Sequence, residues 1–299
     1  MTGATALVKL ARAKLNLRLE VLGLQTGGLH GVRSLIGDLV FGDEVEISGR
    51  GGPFRVLMEG SSDVPGVDIP ERENLAYLAA MRLGIDLDGF HVRIRKRIPT
   101  QAGLGGGSAD AAAVIRGFRD LFKKRGKPIS EEHVASASRV GSDIPACMVA
   151  GFKIVEGTGD IVRHLPLPAP PWGLLLLRPP AGVPTAEAYR LLDAGRAGGP
   201  SSSSETDLLE LVKAIETRDF PRACSLLYND FQPVVELIFP AVAEARQRLR
   251  AAGAAATLLC GSGSCVAGFF ETNAAAAAAR KQLRTGEGEW ATATCFADA

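Results

Sequence analysis

The stretch Pro99-Thr-Gln-Ala-Gly-Leu-Gly-Gly-Gly-Ser-Ala-Asp-Ala-Ala-Ala113 joins four glycines, one serine hydroxyl and a run of small residues. His91 to Arg97 before it reads as a strand, and behind it Ala111, Val114, Ile115, Phe118, Leu121 and Phe122 recur at helical spacing. The glycines therefore stand between a strand and a helix N-terminus. Without side chains in the way, backbone N–H groups can close on a polyphosphate, and the helix end adds unpaired donors and about half a positive charge. The competing reading is an ordinary tight turn with Ser108 as helix N-cap; the length of the run and the small residues behind it favour the anion. No Lys-Ser or Lys-Thr follows the glycines, so the loop is not a Walker A motif. The G-x-G-x-x-G spacing breaks at Ser108, which argues against a dinucleotide fingerprint, and protein-kinase signatures are absent.

Toward the N-terminus, Leu15, Leu17, Leu19 and Val21 alternate with Asn16, Arg18 and Glu20, the period of a half-buried strand on which Lys14 and Asn16 share the polar face. A glycine-rich loop (Gly23, Gly27, Gly28, Gly31), a short strand over Asp43–Ile47 and a helix over Asn74–Gly84 follow. Composition changes near Gly151, which predicts two lobes, 1–151 and 152–299. In the second, Leu174–Leu177 reads as a strand, Gly198–Ser204 as a flexible loop, and Leu258–Leu259 runs into another glycine cluster. The alanine run Ala274–Ala279 predicts a helix with Asn273 as N-cap.

A chain of 299 residues has room for two moderate cores. Its 34 basic and 33 acidic residues leave a net charge of +1, too little to gather nucleic acid or an anionic membrane, so a small-molecule substrate is expected. The five cysteines (Cys147, Cys224, Cys260, Cys265, Cys295) form no metal-ligand spacing and read as reduced thiols. With no signal-peptide pattern and no apolar run of membrane-spanning length, the chain reads as cytoplasmic.

The glycine run has the Pro-x-x-x-Gly-Leu-Gly form of the GHMP kinases, and three further segments resemble the diphosphocytidyl-methylerythritol kinase branch of that family: Ala13-Lys-Leu-Asn-Leu-Arg-Leu19, Gly141-Ser-Asp-Ile-Pro-Ala146 and Gly261-Ser-Gly-Ser-Cys265. All four stand in family order and span nearly the whole chain. The resemblance implies an α+β, two-lobed GHMP kinase fold, with an N-terminal nucleotide-binding lobe, a C-terminal α/β lobe and a left-handed βαβ crossover. It implies transfer of the ATP γ-phosphoryl group to the C2 hydroxyl of 4-diphosphocytidyl-2-C-methyl-D-erythritol, with Mg²⁺ accompanying the nucleotide and its ligands unassigned. Lys14 and Asp143 would be catalytic, the carboxylate accepting the hydroxyl proton and the ammonium orienting the alcohol. Asn74, Pro99, Ala102, Gly103, Leu104, Gly105, Gly106, Gly107 and Ser108 would bind ATP. Asn16, Leu29, His30, Thr185 and Tyr189 would bind the acceptor, with the cytosine between Tyr189 and the Leu29–His30 segment.

Read singly, Lys14 is an exposed charge at a strand start, Asp143 a turn or cap carboxylate, His30 a loop hydrogen-bonder and Tyr189 a partly buried helix aromatic. His91, His133 and His164 read as structural or surface residues. Two departures from the family pattern stand out: Ala109 where relatives carry a second serine, and Leu29 where they carry tyrosine. The second keeps a sister GHMP kinase acting on another alcohol as an alternative. A catalytically silent nucleotide-binding protein is a further one, against which Lys14 and Asp143 argue.

Overall fold

The computed structural model describes residues 6–25, 28–60, 64, 69–180, 182–195 and 205–299. Gly27 and the expected flexible loop Gly198–Ser204 lie outside the described residues. The chain begins with two long strands, β1 (Leu7–Leu24) and β2 (His30–Gly49), then β3 (Arg55–Gly60), α1 (Leu75–Met81), β4 (Phe90–Lys96), α2 (Gly106–Lys124), α3 (Glu131–Ser138) and α4 (Ile144–Met148). It continues with β5 (Phe152–Glu156), β6 (Ile161–Leu165), β7 (Gly173–Arg178), α5 (Thr185–Gly195), α6 (Glu205–Glu216), α7 (Phe220–Leu226) and β8 (Tyr228–Asn229). The last elements are α8 (Phe231–Ile238), α9 (Pro240–Ala251), β9 (Ala256–Leu259), β10 (Val266–Phe270), α10 (Asn273–Gln282) and β11 (Trp290–Cys295). Two compact units result, and both are discontinuous: 1–13, 42–100 and 105–148 form the first; 14–41, 101–104 and 149–299 form the second.

In the first unit, β4 pairs antiparallel with the end of β2 (Glu44 opposite Arg95) and parallel with β3 (Arg55 opposite His91). Helices α1 and α2 pack together beside this sheet. Their small residues Ala76, Ala79, Ala80, Ala109, Ala111, Ala112 and Ala113 are all buried, so the helices approach closely around Phe90, Phe118 and Phe122. Phe90 and Phe118 meet edge to face, with centroids 5.5 Å apart. The strand predicted over Asp43–Ile47 is thus the end of the much longer β2.

In the second unit, β5 pairs antiparallel with the start of β2 (Ser34 opposite Val155), and β8 runs parallel to β1 (Arg18 opposite Tyr228). A separate antiparallel sheet has the order β11-β7-β10-β9. The tetrad Leu174–Leu177 in β7 is fully buried, as a continuous apolar run at a sheet centre demands. Helices α9 and α10 contact this sheet. Thr272, not Asn273, caps α10: its hydroxyl accepts the Ala275 N–H at 3.2 Å. The helix starts one residue earlier than expected, so Asn273 is already its first helical residue and the preceding threonine takes the cap position.

Candidate active site

The glycine loop is clamped at its origin by a buried trio within the first unit. Asp43 Oδ1 accepts the Ile98 N–H at 2.8 Å and also that of Arg97, while Asp43 Oδ2 accepts from Lys96 Nζ. The same ammonium donates to Asp110 Oδ2 at 2.7 Å, tying the end of β4 to the start of α2. Burial of the Asp110 carboxyl pushes its pKa up to about 8, against the opposing pull of Lys96, and its Oδ1 has no hydrogen-bond partner. Burial acts to lower the Lys96 pKa, but Asp110 and Asp43 outweigh it and raise it. None of these three residues was singled out in the sequence; a charged residue repeatedly placed among strand apolars was the available signal.

Helix α2 starts two residues earlier than its periodicity suggested. Gly105 is its N-cap, in the left-handed conformation (φ +71°), so Ser108 lies in the first turn and is not the cap. That corrects the tight-turn reading. The first turn carries no acidic residue, which leaves its unpaired N–H groups and positive dipole end for an anion. Gly107 is exposed and Ser108 half-buried. A Cβ on Gly106 would meet Ile98 Cγ2 at 3.0 Å and Lys96 Nζ at 3.4 Å, so this glycine permits close packing against β4. Asn74 caps α1 instead of standing free: its Oδ1 accepts the Ala76 N–H at 2.8 Å and its Nδ2 faces Met58 Sδ.

Within the second unit, the loop's middle segment is seated on the second glycine cluster. The carbonyls of Gln101 and Ala102 accept the Ser264 and Cys265 N–H groups at 3.2 and 3.3 Å, and the Leu104 carbonyl accepts the Lys14 N–H at 3.0 Å. Gly103 adopts φ +75° with its Cα so close to the 260 peptide that a Cβ would lie 1.7 Å from the Cys260 oxygen. Asn229 fixes the cluster from beneath, its Nδ2 donating to the Leu259 and Gly261 carbonyls, each at 2.8 Å. Cys260 and Cys265 are fully buried here, and burial raises the Cys265 thiol pKa well above normal.

The face of β1 that alternation marked as polar is not solvated. Lys14 (5% exposed), Asn16 (4%), Arg18 (4%) and Glu20 (0%) are as buried as the leucines between them. Lys14 Nζ donates to Asn16 Oδ1 at 2.7 Å, and Asn16 Nδ2 donates to Ser34 Oγ at 2.8 Å. Arg18 reaches Glu20, the Leu226 carbonyl and Asp207, and its guanidinium lies 4.9 Å from the Tyr228 ring centroid. A row of buried, hydrogen-bonded charges on one strand is costly to assemble for folding alone. Asp143, in the first unit, immediately precedes α4; it is half-buried and its carbonyl accepts the Cys147 N–H at 3.1 Å.

Of the residues expected at the acceptor pocket, His30 and Tyr189 come together. Their rings stack directly, with centroids 4.8 Å apart and planes inclined by 25°. Tyr189 also meets Phe231 edge to face at 4.9 Å, and His30 Nε2 lies 2.8 Å from Asp193 Oδ1. Leu29 is 61% exposed and Thr185 Oγ1 bonds Ser262 Oγ at 3.0 Å, linking α5 to the glycine cluster.

The family model of the GHMP kinases N terminal domain matches residues 74–151, and that of the GHMP kinases C terminal domain matches 211–287. The chain is 36% identical over 285 residues to the 4-diphosphocytidyl-2-C-methyl-D-erythritol kinase of Pelotomaculum thermopropionicum, covering 93% of this chain and 94% of that one. It is 34% identical over 266 residues to the enzyme of the same name from Geobacillus kaustophilus, covering 87% of each. A crystal structure of 4-(cytidine 5'-diphospho)-2C-methyl-D-erythritol kinase superposes with a TM-score of 0.76 at 27% identity, over 97% of this chain and all of that one. Leishmania major mevalonate kinase shares the fold, with a TM-score of 0.71 at 15% identity over 99% of this chain and 98% of the other.

Proposed function

The chain belongs to the GHMP kinases, a family that uses ATP as phosphoryl donor, and within it we infer that it phosphorylates the C2 hydroxyl of 4-diphosphocytidyl-2-C-methyl-D-erythritol, a step of non-mevalonate isoprenoid synthesis. The observation that carries the reading from geometry is the Lys14–Leu104 backbone bond. It ties a buried ammonium residue to the middle of a glycine loop that runs into a helix N-terminus. That arrangement suits an alcohol presented to a terminal phosphoryl group.

Lys14 orients the acceptor oxygen and offsets the charge that develops on it, and Asp143 accepts its proton. The base need not be strong, because phosphoryl transfer passes through a loose transition state in which positioning and electrostatics supply most of the rate. The loop from Pro99 to Ser108, through Ala102, Gly103, Leu104, Gly105, Gly106 and Gly107, holds the phosphates by backbone N–H groups and the Ser108 hydroxyl. The two loop segments clamped by Asp43 and by residues 264–265 fix its course. Asn74 acts in nucleotide binding through the placement of α1. Asn16, Leu29, His30, Thr185 and Tyr189 line the acceptor side. Mg²⁺ would accompany the nucleotide, since this ion is commonly carried by phosphate oxygens and water; among the described residues no group of three or more His, Cys, Asp or Glu able to hold a metal occurs. When bound, it would neutralise phosphate charge. Family domains at 1–151 and 152–299 and a cytoplasmic location belong to the same proposal; among the described residues no helix is long and apolar enough to cross a membrane.

The test is product identity. Incubation with Mg-ATP and the diphosphocytidyl alcohol should give ADP and an equal amount of a phosphate monoester at C2 by ³¹P NMR. ADP without that monoester would defeat the reading.

A further inference from the structure

Ser34 lies on β2, 1% exposed, and belongs to none of the residue sets that composition or motif marked out. Its hydroxyl donates to the Arg18 carbonyl at 2.7 Å and stands 2.8 Å from Asn16 Nδ2. A hydroxyl has one proton, and a carbonyl can only accept. The Arg18 carbonyl therefore accepts the O–H, and Ser34 Oγ turns only lone pairs toward Asn16. An amide facing lone pairs must present its NH₂ end, which leaves Asn16 Oδ1 on the opposite side, 2.7 Å from Lys14 Nζ. The reversed amide would set NH₂ against an ammonium and oxygen against oxygen. Both contacts would be repulsive, and the surroundings are buried, where such errors are poorly screened.

We propose that Ser34 is a positioning residue for phosphoryl transfer, acting through Asn16: it anchors the NH₂ end of the amide whose oxygen accepts from Lys14, and so fixes the direction of the ammonium. The proposal rests on the functional reading above for the role of Lys14, though not for the hydrogen-bond relay itself. With one ammonium proton held by Asn16 Oδ1, the directions of the remaining N–H bonds are set before the acceptor arrives. Loss of the serine hydroxyl leaves the buried Asn16 NH₂ without its acceptor and the amide held at the Lys14 end alone, so amide and ammonium can shift together; misdirection of a catalytic group by about 1 Å costs on the order of a hundredfold.

The experiment pairs turnover with a readout that needs none. In a folded Ser34→Ala protein, kcat should fall at least tenfold while KM for ATP stays within twofold. In an Asn16→Asp background, where both carboxylate oxygens are acceptors and no wrong end exists, Ser34→Ala should produce no further fall in kcat. The Asn16 side-chain NH₂ protons, assigned by their disappearance in Asn16→Asp, should exchange with solvent at least tenfold faster in Ser34→Ala. Equal kcat losses in both backgrounds would make Ser34 merely structural, and unchanged amide exchange would remove the relay; either overturns the proposal. If Ser34→Ala does not fold, Ser34→Cys keeps the shape and weakens both bonds, and the same two outcomes decide. A wild-type protein inactive on the diphosphocytidyl alcohol but showing the exchange effect would defeat the functional reading and leave the relay standing.

Discussion

Replacing Gly103 by alanine tests whether the glycine loop is held by the close approach seen here. The new Cβ would lie 1.7 Å from the Cys260 carbonyl oxygen, and real contacts of this kind do not fall below 3.0 Å, so loop and carbonyl must part by roughly 1.3 Å. The backbone adds its own penalty, because φ is +75° and a left-handed non-glycine residue costs about 1–2 kcal/mol. Gly126→Ala separates the two effects. Its φ is +72° with nothing within 4 Å, so it bears the backbone penalty alone. We expect Gly126→Ala to lower stability by about 1 kcal/mol with unchanged kinetics. Gly103→Ala should cost more than that and lower kcat/KM for ATP by about a hundredfold, as a displacement near 1 Å does to a positioned phosphoryl group. Urea unfolding and a coupled ADP assay on both variants measure this. If Gly103→Ala matched Gly126→Ala in stability and kept wild-type kinetics, the seating of the loop on residues 260–265 would be wrong.

Asp143→Asn and Lys14→Ala should each reduce turnover at least about a hundredfold with ATP binding retained by calorimetry; a folded Asp143→Asn enzyme of normal rate would remove that residue from the mechanism. Asp110 carries a pH signature: its folded-state pKa near 8 stands above its ordinary value of 3.8, so between these pH values the folded state binds the extra proton. Stability should then fall as pH rises from about 4 to about 8, by up to about 1 kcal/mol per pH unit from this group, and Asp110→Asn should flatten that slope in melting temperatures taken across pH 5–8. An unchanged slope would mean that Asp110 stays ionised beside Lys96. Tyr189→Ala, which removes the ring under His30, should raise the acceptor KM severalfold and leave KM for ATP alone; an unchanged acceptor KM would take the His30–Tyr189 pair out of the pocket.

The loop, the helix behind it and the central strand of the C-terminal sheet were legible because each is a local pattern: glycines before a 3.6-residue period, or four leucines in a row. What lies between distant segments was not. The alternation in β1 correctly placed Lys14 and Asn16 on one face, but only the fold shows that face buried, since β2 and Ser34 cover it from 18 residues away. Asp43, Lys96 and Asp110 form one cluster although 67 residues separate the outermost pair, and nothing local announces that. The stacking of His30 on Tyr189 is likewise invisible in the sequence, because the two residues are 159 positions apart and only the fold brings their rings together. Nor does the second glycine cluster, Gly261–Cys265, announce in the sequence that it seats the first.

The most direct test of the account is kcat/KM for ADP release from Mg-ATP with the purified chain across a panel of alcohols: the diphosphocytidyl methylerythritol, its uridine analogue, homoserine and mevalonate. The account predicts turnover with the diphosphocytidyl compound and at least a hundredfold lower kcat/KM with homoserine and mevalonate. Preference for either of those would select a sister kinase, and ATP binding without turnover of any alcohol would contradict a catalytic role for this site.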